Sequence, residues 1–151
     1  ADVRTMDLEQ TFDAIFSFGG VWYQIDAGTE LQLCSHIPDE DEDQDAFGNV
    51  LAHLRPGGLF LLSVQGIHKD YEKKLPGDVT YRQRISWCGT LFQKEYYFEG
   101  PKGIAVQHNT YRIRHQPDME AFLRRHRLVA LPKETDGICH AFRKDTSAKS
   151  V

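Results

Sequence analysis

Two short apolar runs, each bordered by a pair of glycines, restrict the fold of this chain more than any other feature. Residues 12–18 read FDAIFSF and precede one Gly-Gly pair, and residues 59–64 read LFLLSV and follow another. Runs that are apolar on both faces are typical of strands buried in a parallel sheet. When two such strands flank a helix, they form a crossover unit in which the strands are parallel. The two runs therefore predict an α/β fold with a first strand that is buried on both faces.

One amphipathic helix is predicted between the two runs. Residues 43–54 place apolar side chains on one face at helical spacing. The acidic stretch at residues 38–45 overlaps the start of this helix, where carboxylates favour the positive end of the helix dipole. Neither its spacing nor a glycine matches a calcium loop, so we expect no metal site there. Residues 21–25 are predicted to begin a long connection.

The pattern changes after residue 64. Residues 66–78 are polar and predict a loop, and the alternating segments 79–87, 91–99 and 104–114 predict an antiparallel meander with glycine turns. Pro117 fits the first turn of a second helix, whose apolar stripe contains Met119, Phe122 and Leu123. We expect two last strands at 128–131 and 138–142, with a turn near Asp136 and Gly137, and a frayed tail at 145–151.

Composition excludes several function classes. The chain has 151 residues, enough for one domain with a core, and 18 basic against 22 acidic side chains give a net charge of −4. This charge argues against general nucleic-acid binding. No apolar run is long enough to span a membrane, and the first residues do not match a signal peptide. The three cysteines, Cys34, Cys88 and Cys139, lack metal-ligand spacing, so we expect reduced thiols and a cytoplasmic protein.

In order and spacing, these elements resemble the C-terminal half of class I S-adenosylmethionine (SAM)-dependent methyltransferases. The resemblance is carried by residues 12–17 and by the LRPGG turn at 54–58 before an apolar strand. The meander resembles the lid found in sugar and amine N-methyltransferases. The fold implied is a partial Rossmann-like sheet of parallel strands with a C-terminal antiparallel hairpin and an inserted meander. The implied domains are an α/β unit (1–66 and 116–144), a lid (67–115) and a flexible tail (145–151).

The resemblance also implies SAM as cofactor and methyl transfer to nitrogen or oxygen of a small molecule. Asp2 would accept a hydrogen bond from the adenine amino group, and the backbone of Val3 would meet the ring edge. Ser17, Phe18 and Gly19 match the mouth of the family's fourth strand, beside the methyl group and the substrate. The family's glycine-rich turn and its ribose-binding acid lie upstream of the segment matched here. We therefore expect the chain by itself to lack part of the cofactor site.

Ligands of open parallel sheets bind beyond the carboxyl ends of the strands. A ligand is therefore expected at the end of the first apolar run, near residues 17–20. Trp22 and Tyr23 follow the first run and offer aromatic faces to a sulfonium or ammonium group, with core packing as an alternative. Methyl transfer from a sulfonium depends mostly on alignment, and an amine nucleophile also benefits from a base. His68 is the first candidate base and His108 the second, and a solvated loop position is the alternative for His68.

Further substrate-binding candidates lie on the alternating strands. Arg82 and Arg84 share a face and could hold an acidic group, or they could form a solvated face. Tyr81 and Tyr97 could line a pocket under the lid or pack in the core.

Two alternatives to a methyltransferase remain open. One is a non-catalytic fragment of the same fold that acts as a ligand-binding or interaction module. The other is an unrelated α+β pocket, which would be favoured if the two apolar runs were antiparallel. A half-sheet would also expose a surface that a homo-oligomer or a partner could cover.

Overall fold

The two apolar runs form parallel strands in the computed structural model, which describes residues 2–132 and 137–146. In chain order the elements are β1 (Phe12–Ser17), β2 (Trp22–Asp26), β3 (Leu31–Ser35), α1 (Glu40–Ala52), β4 (Leu54–Gly66), β5 (Tyr71–Leu75), β6 (Val79–Cys88), β7 (Leu91–Gly100), β8 (Gly103–Arg114), α2 (Gln116–Arg125), β9 (Leu128–Ala130) and β10 (Cys139–Lys144).

The long strand β4 organises the sheet. β1 lies parallel to its first part, β2 lies parallel to its last residues on the same side, and β10 pairs antiparallel on the other side. The described strands form a ten-stranded sheet with the order β5-β6-β7-β8-β3-β2-β4-β10-β9, and β1 pairs with β4 beside this path. The mixed α/β sheet with an antiparallel meander is confirmed. The parallel pairing of β1 with β4 removes the argument for an unrelated α+β pocket.

Both helices pack on one face of the sheet and form the main core with it. α1 begins at Glu40, earlier than predicted, because the Asp39 carboxylate accepts the backbone N–H groups of Asp41 and Glu42 and caps the helix. It ends at Ala52, and Leu54 already belongs to β4. The predicted stripe of α2 is buried in the same core. Neither helix of the described ranges has the length and apolar character needed to span a membrane.

The prediction that both faces of β1 are buried is wrong. Ile15 packs against the helix-side core, whereas Phe16 is 54% exposed and Phe18 is 62% exposed. These two rings stack on each other with centroids 5.6 Å apart. Because no described element covers this side of β1, apolar character on both faces did not imply burial on both faces.

Two segments predicted to be irregular are strands. The connection after residue 20 contains the hairpin of β2 and β3, and the predicted loop at 66–78 contains β5, so the meander has an additional edge strand. The signal of β2 is weak because its side chains are buried on both faces, so they do not alternate in polarity. β5 is hidden because it carries Glu72, Lys73 and Lys74, charged residues of the kind that protect an exposed edge.

The last hairpin lies where it was predicted, with shifted bounds. β9 ends at Ala130, and β10 runs beyond the predicted end to Lys144, with Phe142 beside Ala130. Asp136 of the predicted turn and residues 147–151 of the predicted tail lie outside the described residues.

Replacing Gly58 with alanine is expected to lower the free energy of unfolding by about 1–3 kcal/mol. A Cβ at this position would lie 2.9 Å from the carbonyl oxygen of Asp13 and 2.8 Å from Leu54 Cδ1, so β1 would have to move away from β4. Gly66→Ala is the matched control, because a Cβ there meets no described atom within 4 Å. Urea unfolding of both variants measures the difference, and equal stabilities would contradict the close approach of β1.

Candidate functional site

A polar cluster lies on the sheet face opposite the helices. Tyr23 from β2 and Lys94 from β7 are buried, and His68 lies in the segment that follows β4. Tyr23 Oη lies 3.0 Å from His68 Nε2, and Lys94 Nζ lies 3.3 Å from His68 Nδ1. These three residues are called the Tyr23–His68–Lys94 cluster below.

Strand alternation explains why the cluster forms. Successive side chains of a strand point to opposite faces, so Trp22 enters the helix-side core while Tyr23 faces the meander. On β7 the same rule puts Lys94 on the face of Phe92, whose ring stacks on Tyr111 with centroids 4.7 Å apart. Tyr23, Phe92 and Tyr111 belong to a second, smaller apolar core. The cluster therefore packs against this smaller core, with the His68 ring 5.7 Å from that of Phe92.

Burial and a nearby positive charge set the protonation states. Burial, with the charge of Lys94 as a smaller cause, lowers the pKa of His68 to about 4. Burial also lowers the pKa of Lys94 and raises the pKa of Tyr23. An ammonium group has donors but no acceptor, so Lys94 in its charged form donates to His68 Nδ1. His68 Nε2 then carries the proton and donates to Tyr23 Oη, so both ring nitrogens of the neutral histidine are engaged.

His36 connects the cluster to a neighbouring cavity. Its ring centroid lies 4.6 Å from that of Tyr111 and 5.9 Å from that of Tyr23. It also lines a cavity of about 390 Å³, whose walls include Asp2, Val3, Val21, Ile37 and Glu42. Val21 follows β1, and His68 follows β4. The cavity and the cluster thus lie beyond the carboxyl ends of the two parallel strands, where open sheets bind ligands.

The predicted cofactor residues Asp2 and Val3 both line this cavity. Arg4 donates to the Asp2 carboxylate through Nε and Nη2, and these hydrogen bonds lower the pKa of Asp2 to about 2. Arg4 also pairs with Glu42 on α1, at 3.1 Å. The carboxylate of Asp2 is therefore ionised and held at the rim of the cavity.

The other predicted cofactor residues form the turn from β1 into β2. Ser17 Oγ donates to the carbonyl oxygen of Trp22 at 2.6 Å, and the Gly19 N–H donates to Ser63 Oγ at 3.2 Å. Gly19 has a φ of +59°, a conformation that glycine adopts without strain. Phe18 projects outward between them. This turn positions Val21 at the cavity, and the Ser17 hydroxyl proton is used within the turn.

Two predicted site residues lie elsewhere. Trp22 is 2% exposed, and its Nε1 donates to Asp43 at 2.7 Å, so these contacts favour the alternative of core packing over substrate binding. His108 lies on the opposite face of the meander from Lys94, exposed and 3.2 Å from Glu95. The structure therefore does not bring the two candidate bases together.

The meander candidates also separate onto two faces. Tyr81 is buried on the aromatic face, with its ring 5.0 Å from that of Phe98, whereas Tyr97 lies on the face of Arg82 and Arg84. Arg82 pairs with Glu72 and Glu99, and Arg84 lies 3.8 Å from Asp70. These contacts favour the alternative of a solvated, charge-paired face for the arginines.

Two residues of the site were missed by the sequence interpretation. Lys94 interrupts the apolar face formed by Phe92, Tyr96 and Phe98, and a lysine in that position is a readable signal of a buried charge. His36 gave no such signal, because it follows β3, which was not predicted.

Lowering the pH from 7 to 4.5 is expected to destabilise the chain partly through His68. Its pKa of about 4 lies below the ordinary value of 6.5, so the unfolded chain binds the proton first. The contribution of His68 to the free energy of unfolding is therefore fully present above about pH 6.5. It declines as the pH falls towards 4, by about 1–2 kcal/mol after allowance for solvent screening of a half-buried ring. Urea unfolding of His68→Gln should show a smaller loss between these pH values than the unchanged chain. His108→Gln is the control, and an equal loss in all three would contradict the buried state of His68.

Solved structures match nearly the whole chain. A SAM-dependent methyltransferase from Clostridium acetobutylicum is 17% identical with a TM-score of 0.66, and the match covers 97% of this chain and 63% of that one. A SAM-bound amino pentose methyltransferase from Micromonospora echinaspora, involved in calicheamicin biosynthesis, is 18% identical with a TM-score of 0.61, covering 95% and 63%. A methyltransferase from Streptomyces caelestis is 12% identical with a TM-score of 0.68, covering 98% and 62%.

No protein-family model and no curated protein sequence matches the chain. The chain spans less than two thirds of the length of the three structures. At these identities the similarity shows the fold alone. It agrees with two features of this structure, the parallel pairing of β1 with β4 and the meander that continues the sheet. This chain has the fold of SAM-dependent methyltransferases.

Proposed function

We propose that this chain forms the substrate-binding part of a SAM-dependent methyltransferase that acts on nitrogen or oxygen of a small molecule. The observation that supports the proposal most is the position of the Tyr23–His68–Lys94 cluster. It adjoins, through His36, a cavity beyond the carboxyl ends of β1 and β4. The fold neighbours are methyltransferases, and one of them is SAM-bound.

The residues of the cavity suit an adenosine group. Val3, Val21 and Ile37 offer apolar walls, and the ionised carboxylate of Asp2 at the rim can accept a hydrogen bond from an exocyclic amine. The ring of His36, which lines this cavity, lies 5.9 Å from the ring of Tyr23 in the cluster. When bound, SAM supplies an electrophilic methyl group that is transferred in one displacement.

The residues of the chain then contribute alignment and a proton acceptor. Tyr23 and His68 hold each other in place, and the nucleophile would lie against them. His68 is neutral, and its Nδ1 can accept the proton that the nucleophile loses once the hydrogen bond that Lys94 donates to this nitrogen opens. No covalent enzyme intermediate is needed. A cytoplasmic location is part of the same proposal.

Calorimetric titration of the whole chain with SAM tests the cofactor part. We expect saturable heat, and a weaker affinity for Asp2→Asn, in which a neutral amide replaces the ionised acceptor. Asp7→Asn is the matched control, because Asp7 is an exposed acid near the same end of the chain that does not line the cavity. A folded chain that gives no heat would overturn cofactor binding by this chain.

A second candidate is a ligand-binding module of the same fold without catalysis. It needs only the Tyr23–His68–Lys94 cluster and the adjoining cavity, which lie within the described residues. A chain that binds small aromatic ligands near His68 but does not bind SAM would support this candidate.

A further inference from the structure

Lys94 carries a buried charge without a carboxylate partner in the described chain. It is 9% exposed, and the acceptor that it contacts is the neutral ring of His68. Its ammonium group also lies 5.1 Å from the ring centroid of Tyr96. The burial of an ammonium group is costly unless acceptors surround it, and one histidine nitrogen satisfies one of its three donors.

The arginines of the meander differ from Lys94 in this respect. Each of them pairs with at least one carboxylate of the described chain: Arg82, Arg84, Arg112 and Arg114. These four arginines are therefore paired with carboxylates, whereas the buried Lys94 beside His68 has no carboxylate partner among the described residues. Buried charges that lack a partner are concentrated at functional sites.

We propose that Lys94 binds an oxyanion of the substrate, a carboxylate or a phosphate, and that this binding releases His68 to act as the proton acceptor. The inference rests on the proposed function for the role of His68, and it adds the chemical class of the substrate. A charged oxygen is a stronger acceptor for an ammonium group than a neutral imidazole nitrogen. The anion would therefore take the place of His68 Nδ1, which leaves that nitrogen with a free lone pair.

Electrostatics supports the same coupling. The titratable groups around His68 are Tyr23 of β2, His36 after β3 and Lys94 of β7, and Cys34 of β3 lies beside Tyr23. None of them carries a negative charge at neutral pH, and Lys94 is the cation. An anion bound to Lys94 would offset that cation and raise the pKa of His68 towards its ordinary value. Binding of the substrate would thereby make His68 a stronger base for the methylation of that substrate.

Histidine ring NMR of the whole chain tests the inference with benzoate, phenyl phosphate and the neutral benzamide as probes. We expect benzoate or phenyl phosphate, but not benzamide, to shift the His68 ring signals and to raise its titration midpoint. The anion that does so more strongly identifies the carboxylate or the phosphate. Lys94→Met and Lys94→Gln should weaken binding at least tenfold. Lys73→Met is the matched control, since Lys73 also lies beside an aromatic ring, 5.9 Å from the centroid of Tyr81, but on the exposed strand β5.

Thermal unfolding separates this role from a structural one. Lys94→Met removes a buried charge, so we expect an unchanged or higher Tm, whereas a structural lysine would give a clear loss. A lower Tm in both variants, or equal binding of benzoate and benzamide, would overturn the inference. If one of these contrary results occurs and the chain still binds SAM, this inference fails while the proposed function stands.

Discussion

Replacing Asp43 with alanine is expected to lower the free energy of unfolding by about 3–5 kcal/mol. Asp43 is fully buried on α1, and its carboxylate accepts hydrogen bonds from Trp22 Nε1, Ser35 Oγ and Arg114. The guanidinium of Arg114 also lies 4.0 Å from the ring centroid of Phe122. Without the carboxylate, two buried donors lose their acceptor and the buried Arg114 keeps only Glu40, which costs more than the loss of a single hydrogen bond.

Two comparisons make this result specific. Asp45→Ala removes an exposed carboxylate from the same helix and should change stability by less than about 0.5 kcal/mol. Asp43→Asn keeps one acceptor oxygen but not the charge, so we expect a loss between those of the other two variants. Urea unfolding measures all three. If Asp43→Ala and Asp45→Ala had equal stabilities, the buried carboxylate would not hold these elements together.

The same network connects the core to the candidate site. Arg112 and Arg114 at the end of β8 pair with Glu40, and Arg112 also donates to the carbonyl oxygen of Pro38. Pro38 lines the same cavity as His36. The acidic stretch that the sequence interpretation assigned to the helix dipole therefore also anchors the meander against α1.

Replacing Phe60 with alanine is expected to lower the free energy of unfolding by about 3–5 kcal/mol, because its ring is fully buried in the helix-side core. Its centroid lies 5.3 Å from that of Phe47. Phe16→Ala on the paired strand β1 should cost less than about 1 kcal/mol, since that ring is 54% exposed on the opposite face. Urea unfolding of both variants measures this contrast between the two faces of the same strands. Equal losses of stability in Phe60→Ala and Phe16→Ala would contradict the one-sided burial of β1.

The elements with strong local patterns were predictable. The parallel strands, the meander and the stripe of α2 follow from apolar runs, alternation and helical spacing, which depend on nearby residues. β2 and β5 were not, because the side chains of β2 are buried on both faces, with the polar Gln24 among them, and β5 is a charged edge strand. In both cases pairing with a distant strand overrides the weak local preference.

The candidate site was predictable only in part. His68 comes shortly after β4 and Tyr23 shortly after β1, and the carboxyl ends of these two strands could be located, so the proximity of the two residues could be anticipated. The partnership of Lys94 with His68 depends on the register of β7 in a sheet continued by two unpredicted strands. The burial of Trp22 likewise depends on Asp43, which reads locally as one of several acids at a helix start.

Histidine ring NMR of the whole chain during titration with S-adenosylhomocysteine tests whether the cavity and the Tyr23–His68–Lys94 cluster form one methyl-transfer site. We expect the signals of His36, which lines the cavity, and His68, which belongs to the cluster, to shift together and saturate. His108 and His115 are exposed and pair with Glu95 and Glu30, outside the cavity, and their signals should not move. A folded chain in which His36 and His68 stay unchanged at saturating ligand would contradict the placement of the methyl-transfer site.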